Sequence, residues 1–164
     1  MILCGIDPGL DGGLALLNDA GEIVGLHVMP TIRGGRKGCR GGKEELDLSE
    51  LARLFRAHGV SRVYLERVSA MKGWGAGSAW RFGVGWGQIQ GLAWGLGLGL
   101  VLVPPKTWQT KVLAGTTRDK GAAVAYVLRR WPGVDLRPGR RTKHHDGLAD
   151  ACCLAAFGLT LIGR

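Results

Sequence analysis

The sequence lacks any apolar run of the roughly 18–20 residues that a membrane-spanning helix requires. The nearest candidate, Gly91 to Val103, is short and is interrupted by glycine. No basic segment precedes the first apolar residues, and Asp7 and Pro8 interrupt them, so we expect no signal peptide. These features predict a soluble cytoplasmic protein, and the host cytoplasm would be its location if the source is a virus.

Cysteine is scarce, and its four occurrences at positions 4, 39, 152 and 153 form no CxxC pair. A zinc site that combines the adjacent Cys152 and Cys153 with His144 and His145 is one possible arrangement. The interpretation that we favour is that these are reduced cytosolic thiols, because Cys152 and Cys153 lie in an apolar segment where a thiol behaves as a small hydrophobic group.

Acidic residues are outnumbered, with 13 Asp and Glu against 22 Lys and Arg, and the formal net charge is +9. In a soluble protein such an excess indicates a polyanionic partner, of which nucleic acid is the most common. The chain has 164 residues, of which 46% are hydrophobic, so it can fill one core but has little length for a second. We expect residues 1–164 to form a single domain.

The first third of the chain predicts three antiparallel strands joined by tight turns. They are Ile2 to Asp7, Gly13 to Asn18 and Ile23 to Met29, with Asp-Gly and Asp-Ala-Gly between them. The segment Ile32 to Lys43 is rich in glycine and basic residues and predicts a mobile loop.

The remainder alternates between helical and strand patterns. A helix capped by Asp47 or Ser49 ends at Gly59, and a fourth strand, Val60 to Val68, follows it. The later predicted elements are a helix at Ser78 to Leu98 capped by Ser78, a strand at Leu100 to Val103, and helices at Lys106 to Leu113, Thr117 to Trp131 and about His145 to Leu161. This order predicts an α/β fold with a five-stranded mixed sheet flanked by helices.

Four carboxylates lie at the ends of predicted elements in apolar surroundings. Asp7 ends the first strand, Glu66 lies near the end of the fourth, and Asp146 and Asp150 share one face of the last helix because they are four residues apart. If the first and fourth strands are neighbours, these groups meet and repel one another in a partly desolvated site. Mg²⁺ or Mn²⁺ would relieve that repulsion, and two such ions can support phosphodiester hydrolysis.

Each of these residues also has an ordinary structural explanation. Asp7 before Pro-Gly can simply form a turn, and Asp146 and Asp150 can interact favourably with the helix dipole. Glu66 can pair with Arg62 or Arg67. The joint occurrence of all four in this element order is what favours a metal site.

Four segments, GIDPGLDGGLALL, VYLERV, PPKTWQTKVLAG followed by DK, and HHDGLADACCLA, make the chain resemble RuvC-type Holliday-junction resolvases, particularly the phage-like branch. The resemblance covers nearly the whole chain in the right order. It implies an RNase H-like fold of the retroviral-integrase superfamily. It also implies a metal-dependent endonuclease that resolves four-way DNA junctions by paired nicks in recombination, repair or replication.

The resemblance assigns Asp7, Glu66 and Asp150 to the metal-binding carboxylates, with Mg²⁺ or Mn²⁺ as the cofactor and two ions per site. Many bacterial members carry the remaining acidic or His ligand three residues before the last Asp, where this sequence has Gly147. Asp146 matches the phage-like spacing, and His145 or His144 is the alternative. Lysines that contact the scissile phosphate or the nearby DNA backbone correspond to Lys111 and Lys120.

The resemblance further implies a homodimer, for which the glycine-rich helix Ser78 to Leu98 offers the interface; the alternative is that this helix is buried within the domain. The loop with Met71, Lys72 and Trp74 falls where family members insert an apolar or aromatic side chain at the junction centre. Further phosphate contacts are expected from the basic residues of the loop before the first helix, Arg33, Arg36, Lys37 and Arg40.

Two other functions share parts of this pattern. Sugar and acetate kinases of the actin-like superfamily have a similar IDxG opening, but they need two such domains and a second phosphate loop. A nucleic-acid-binding or RNA-processing relative with the same fold is the second alternative, and the four acidic candidates argue against loss of activity.

Overall fold

A five-stranded mixed sheet forms the centre of the structure, a computed structural model that describes residues 1–33, 44–69, 73–117, 119, 121–139 and 141–162. The strands are β1 (Ile2–Asp7), β2 (Gly13–Asn18), β3 (Ile23–Val28), β4 (Thr31–Arg33), β5 (Glu44–Leu46), β6 (Val60–Glu66) and β7 (Gly99–Val103). The helices are α1 (Leu48–Ala57), α2 (Ala76–Gly95), α3 (Pro105–Val112), α4 (Ala122–Arg130) and α5 (Asp146–Ile162).

The strand order β3-β2-β1-β6-β7 makes β1 the central strand. It pairs antiparallel with β2, with Asp7 opposite Gly13, and parallel with β6, with Ile6 beside Leu65. β7 continues the parallel half of the sheet. The carboxyl ends of β1 and β6 therefore lie side by side at one edge, and the predicted α/β fold with three antiparallel strands first is confirmed.

The helices cover both faces of the sheet, and the alternation of side chains along β6 shows how. Val63 and Leu65 belong to the core under α1 and α2, whereas Tyr64 points into the core under α3, α4 and α5. Asp47 caps α1, because its carboxylate accepts a hydrogen bond from the Glu50 N–H at 2.9 Å. Gly59 follows the end of α1 with a φ of +62°, a conformation that glycine adopts without strain.

Some predicted boundaries and one predicted loop were wrong. Ile32 and Arg33 were predicted to open a loop, but they lie in β4, which pairs with β5 as a separate two-stranded ribbon. The remainder of that predicted loop, residues 34–43, lies outside the described residues. Two polar three-residue strands carry too little alternation for the sequence pattern to reveal them.

The predicted start of the long helix was also wrong. Helix α2 begins at Ala76 and ends at Gly95, and Gly75 precedes it without a side-chain cap, so Ser78 is not the capping residue. Helix α4 begins at Ala122 rather than at Thr117, whose hydroxyl instead donates to Asp119 Oδ2 at 2.7 Å. None of the helices in the described part of the chain is both long enough and apolar enough to cross a membrane.

Helix α5 lies unusually close to the sheet because glycine stands at the crossing points. A methyl group at Gly5 of β1 would overlap the Ala151 carbonyl oxygen and the Ala155 nitrogen of α5. A methyl group at Gly158 would overlap the ring of Tyr64. Gly5 sets the distance of α5 from β1 and Gly158 its distance from β6, and these distances fix where the first turns of α5 meet the strand ends.

We predict that Gly5→Ala destabilises the protein, because both atoms in the way belong to the α5 backbone and cannot rotate aside. Overpacking of this kind costs about 1–3 kcal/mol, or about 2–12 °C in Tm. Gly83→Ala is the matched control, since its methyl group meets nothing within 4 Å. Thermal denaturation of the two variants checks the prediction, and equal Tm values would contradict it.

Candidate active site

Asp7 and Glu66 are the last residues of two neighbouring parallel strands, β1 and β6. Both are partly buried, and their carboxylates lie within electrostatic range of each other. The Gly9 N–H, in the turn that follows β1, donates a hydrogen bond to Asp7. The strand ends predicted from the sequence therefore do bring these two carboxylates together.

The first turns of α5 bring Asp146 and Asp150 to the same edge. Between them, Gly147 packs directly against the β1–β2 turn, where a Cβ atom would lie 2.7 Å from the Asp11 carbonyl oxygen and 2.8 Å from Asp7 Oδ2. Position 147 thus has no room for a side chain. An acidic side chain in this turn of the helix must come from a different position, and Asp146 provides one.

Burial is the main cause of the raised pKa values at the site, and repulsion between carboxylates adds to it at Asp7 and Asp150. Burial, and then the charges of Asp7, Glu66 and Asp146, raise the pKa of Asp150 to about 7. Burial, and then the charge of Glu66, raise the pKa of Asp7 to about 6. Burial also raises the pKa of Glu66, against a hydrogen bond from Trp108 that lowers it. Carboxylates with raised pKa values in a cleft are typical of functional sites.

Two tryptophans hold Glu66 in place, and the sequence analysis singled out neither. The Trp108 indole donates to Glu66 Oε1 at 2.9 Å, and the Trp86 indole donates to the Glu66 carbonyl oxygen at 2.9 Å. Trp108 is 1% exposed, so its N–H requires a partner inside the protein. The sequence does show a tryptophan, Trp108, in the otherwise polar helix PKTWQTKV. Its position in the sequence does not predict that its partner is Glu66.

His145 serves the structure of α5. Its ring is buried, and Nδ1 accepts a hydrogen bond from the Leu148 N–H at 3.3 Å, as a helix-capping side chain does. Burial, and then the nearby Arg141, lower the pKa of His145, so the ring is neutral near pH 7 and can accept this bond. Asp146 by contrast is exposed and faces the same cavity as Asp150.

The donors at this edge suit a hard divalent cation, because all of them are carboxylate oxygens whose repulsion such a cation relieves. With the side chains as they stand, however, no group of three His, Cys, Asp or Glu residues in the described ranges is close enough to hold one ion. The carboxylates lie within electrostatic range but do not converge on a single point. The alternative zinc site with Cys152 and Cys153 is likewise not formed in those ranges, and both thiols are buried.

Two cavities adjoin the site. The smaller, of about 300 Å³, lies between α3, α4 and the start of α5, and Asp119, Asp146 and Asp150 all line it. The larger, of about 740 Å³, lies between the β1–β2 turn, the β4–β5 ribbon and the first half of α2. Trp74 lines the larger cavity and packs edge-on against Phe82, with ring centroids 5.2 Å apart.

Two of the remaining predicted DNA contacts lie in the part of the chain that the structure describes. Arg33 is exposed at the end of β4, and Lys111 is exposed in the last turn of α3. The other candidates lie outside the described residues: Arg36, Lys37, Arg40, Met71, Lys72 and Lys120.

Most of helix α2 faces away from the domain. Only Ile89, Gln90 and Ala93 are buried, so the alternative that this helix is buried within the domain is wrong. Trp80 is 74% exposed and Trp94 is 65% exposed. With Val84 and glycines 87 and 91 they form a stripe at the three- and four-residue spacing of one helix face. We call this set of five residues the α2 stripe.

Comparison with solved structures shows that the fold is that of RuvC. A structure titled Thermus thermophilus RuvC in complex with Holliday junction substrate is 17% identical, with a TM-score of 0.61, over 96% of this chain and 92% of that one. A second T. thermophilus RuvC structure is 19% identical, with a TM-score of 0.56, over 98% and 96%. No protein-family model and no curated protein matches the chain. The predicted RNase H-like resemblance is confirmed for the fold.

We predict that the metal-free protein loses stability as pH rises from about 4 to about 7. Asp7 and Asp150 have folded-state pKa values of about 6 and 7 against an ordinary value of 3.8, so the folded state keeps protons that the unfolded state releases. Asp150→Asn removes the larger of these costs. At pH 8 in EDTA it should raise Tm by about 2–4 °C for each kcal/mol recovered.

Asp19→Asn is the control, because Asp19 is exposed and pairs with the N-terminal amine at 3.5 Å, far from this site in the sheet. Thermal melts from pH 4 to pH 8 test the prediction. An unchanged pH dependence of Tm in Asp150→Asn would show that the pKa of Asp150 is not raised in the folded protein.

Proposed function

We propose that the chain is a divalent-metal-dependent DNA endonuclease that resolves four-way junctions by paired nicks, formed as a single RNase H-like nuclease domain over residues 1–164. The observation that carries this is the gathering of Asp7, Glu66 and Asp150, whose pKa values are raised first by burial, at one edge of a RuvC-like sheet. The likeness to a RuvC structure with a bound Holliday junction supports the substrate class. We propose a cytoplasmic location for this activity.

The carboxylates would hold the metal, with Asp7, Glu66 and Asp150 as the principal ligands. Bound Mg²⁺ or Mn²⁺, as two ions, would activate water and stabilise the leaving 3′-oxygen. The protein contributes to this chemistry by orienting the carboxylate oxygens. Trp108 orients Glu66 through its hydrogen bond to Oε1. The second carboxylate oxygen of Glu66, Oε2, is then the one that would turn toward the metal ion.

The geometry favours Asp146 over His145 as the fourth ligand. Asp146 is exposed toward the cavity that Asp150 also lines, and its charge acts on Asp150. His145 is buried and its Nδ1 caps α5. We propose that Asp146 replaces the ligand that position 147 cannot supply.

Binding of branched DNA would rest on the +9 charge and on contacts from Arg33, Lys111 and the basic residues 36, 37, 40, 72 and 120. These neutralise phosphates without reading sequence. Trp74, which lines the larger cavity, is the aromatic candidate for the junction centre. Met71 is the apolar candidate. An aromatic platform of this kind contributes about 1–3 kcal/mol per stacked base.

A homodimer would place two sites on the two symmetric strands of a junction. The α2 stripe suits this role, because it exposes two tryptophans beside glycines that allow another helix to approach closely. A symmetric contact of one helix with its copy also needs no second surface on the chain.

We predict that Asp7→Asn, Glu66→Gln and Asp150→Asn each abolish Mg²⁺-dependent cleavage of a labelled four-way junction and leave junction binding intact. Loss of a ligand oxygen removes the metal without disturbing the phosphate contacts made elsewhere. The matched control is Asp11→Asn, a carboxylate of the adjacent turn that is exposed and pairs with Arg141. Gel-based cleavage and binding assays measure both properties, and retained cleavage would remove that residue from the site.

We predict that Asp146→Asn reduces cleavage as severely as the other three substitutions, whereas His145→Asn preserves it. Asparagine is itself a good helix cap, so the second change keeps α5 in place. His145→Ala should lower stability by about 1 kcal/mol through loss of the cap and should cleave normally below its Tm. The reverse ranking of Asp146→Asn and His145→Asn would assign the fourth position to the histidine.

We predict that replacing both Trp80 and Trp94 by serine converts a dimer to a monomer, because these side chains supply most of the apolar area of the α2 stripe. Leu161→Ser, at an exposed apolar position on α5, is the control. Sedimentation measures the mass, which should fall from that of two chains to that of one in the tryptophan variant only. A dimer that persists in that variant would place the interface elsewhere.

A further inference from the structure

His27 and His58 form a close pair that the proposed nuclease chemistry does not use. His27 lies in β3 and His58 at the end of α1, and their Nε2 atoms are 3.3 Å apart. The ring centroids are 5.4 Å apart and the ring planes are inclined at 60°. Two side chains 31 residues apart therefore bring their Nε2 atoms within hydrogen-bond distance of each other.

Glycine at position 25 makes the space for this pair. A Cβ atom there would lie 2.9 Å from His58 Cε1 and 3.2 Å from His27 Nε2. The same Cβ atom would lie 2.7 Å from Leu16 Cδ1, so a larger residue at position 25 would have to displace the Leu16 side chain and the His58 ring. The pair lies between the edge strand β3 and the end of α1.

The pair lies on the opposite face of the sheet from the carboxylates. His27 is opposite Leu14, which is opposite Ile6, and residues opposite one another share a face. Leu14 and Ile6 belong to the core under α1 and α2. Asp7 follows Ile6 and points to the other face, so the sheet separates the pair from the candidate active site.

We propose that His27 and His58 bind a divalent transition-metal ion, Zn²⁺ being the reference case, through their Nε2 atoms. In a tetrahedral zinc site with Zn–N near 2.0–2.1 Å, two ligand nitrogens lie about 3.3 Å apart, which is the separation found here. Imidazole nitrogen suits Zn²⁺, Ni²⁺ and Cu²⁺ and is a poor ligand for Mg²⁺, so this site and the carboxylate site select different ions.

The charges around the pair permit binding at neutral pH. Burial, and then His58 and Arg53, lower the pKa of His27, so its ring is neutral at pH 7 and can offer a lone pair. The one proton shared between the two Nε2 atoms would move to Nδ1 of the same ring. No third His, Cys, Asp or Glu side chain in the described ranges completes the group, so water would fill the shell.

Glu50 is the neighbouring carboxylate that could enter the shell. It acts electrostatically on His27 and is held by Arg53 through bonds of 2.7 Å and 2.6 Å. The Arg53 side chain is largely exposed and that of Glu50 is partly exposed, so solvent screens this ion pair, which would open for Glu50 to reach the ion. A bound ion would tie the edge strand β3 to α1 and stabilise that end of the domain.

Calorimetric titration of Zn²⁺ into the full-length Asp150→Asn variant, with thiols kept reduced, tests the histidine site with one ligand of the carboxylate set removed. We expect one ion per chain and an EDTA-reversible rise in Tm of about 5–10 °C at a hundredfold excess of Zn²⁺ over Kd. His27→Gln and His58→Gln should each weaken binding by at least the ~10-fold that loss of an outer-shell partner causes.

His144→Gln is the matched control, because this exposed histidine belongs to a different part of the fold and should bind Zn²⁺ as before. Gly25→Ala should also weaken binding while both ligands remain. No Zn²⁺ binding, or binding that is undiminished in both His27→Gln and His58→Gln, would overturn the proposal and leave the pair as a hydrogen bond.

Discussion

The close contact between α5 and β1 is the constraint on which the rest of the structure depends. Gly5 lets the helix backbone rest on the strand, and Gly147 lets its first turn rest on the β1–β2 turn beside Asp7 Oδ2. Any side chain at these points would lift the helix and carry Asp150 away from the strand ends. Core packing on one face of the sheet thus determines the geometry of the carboxylates.

That geometry has an energetic cost which the fold must offset. One pKa unit corresponds to about 1.4 kcal/mol, so the raised values of Asp7 and Asp150 represent several kcal/mol against a typical domain stability of 5–15 kcal/mol. The two apolar cores on either face of the sheet offset this cost. Carboxylates held together at this free-energy cost are more typical of a functional site than of residues that stabilise a fold.

The sequence predicted the five-stranded sheet and the meeting of Asp7, Glu66 and Asp150, because strand ends and helix periodicity are local patterns. It did not predict Trp108 as the partner of Glu66, since that hydrogen bond joins residues 42 apart and depends on how α3 docks. The hydrogen bond by which His145 caps α5 likewise could not be predicted, because it depends on how the start of the helix packs. Short polar strands such as β4 and β5 bury too few side chains to show the alternation of apolar and polar residues that predicts a strand.

The proposed function requires that these carboxylates hold the metal for cleavage of branched DNA. The most direct test compares purified protein on labelled four-way junctions, linear duplex and RNA–DNA hybrid, with Mg²⁺ and with EDTA. We expect symmetric nicks in two opposed strands of the junction, only with Mg²⁺, and little cutting of the other substrates. Cleavage of the hybrid in preference to the junction, or no Mg²⁺-dependent cleavage of any DNA, would contradict it.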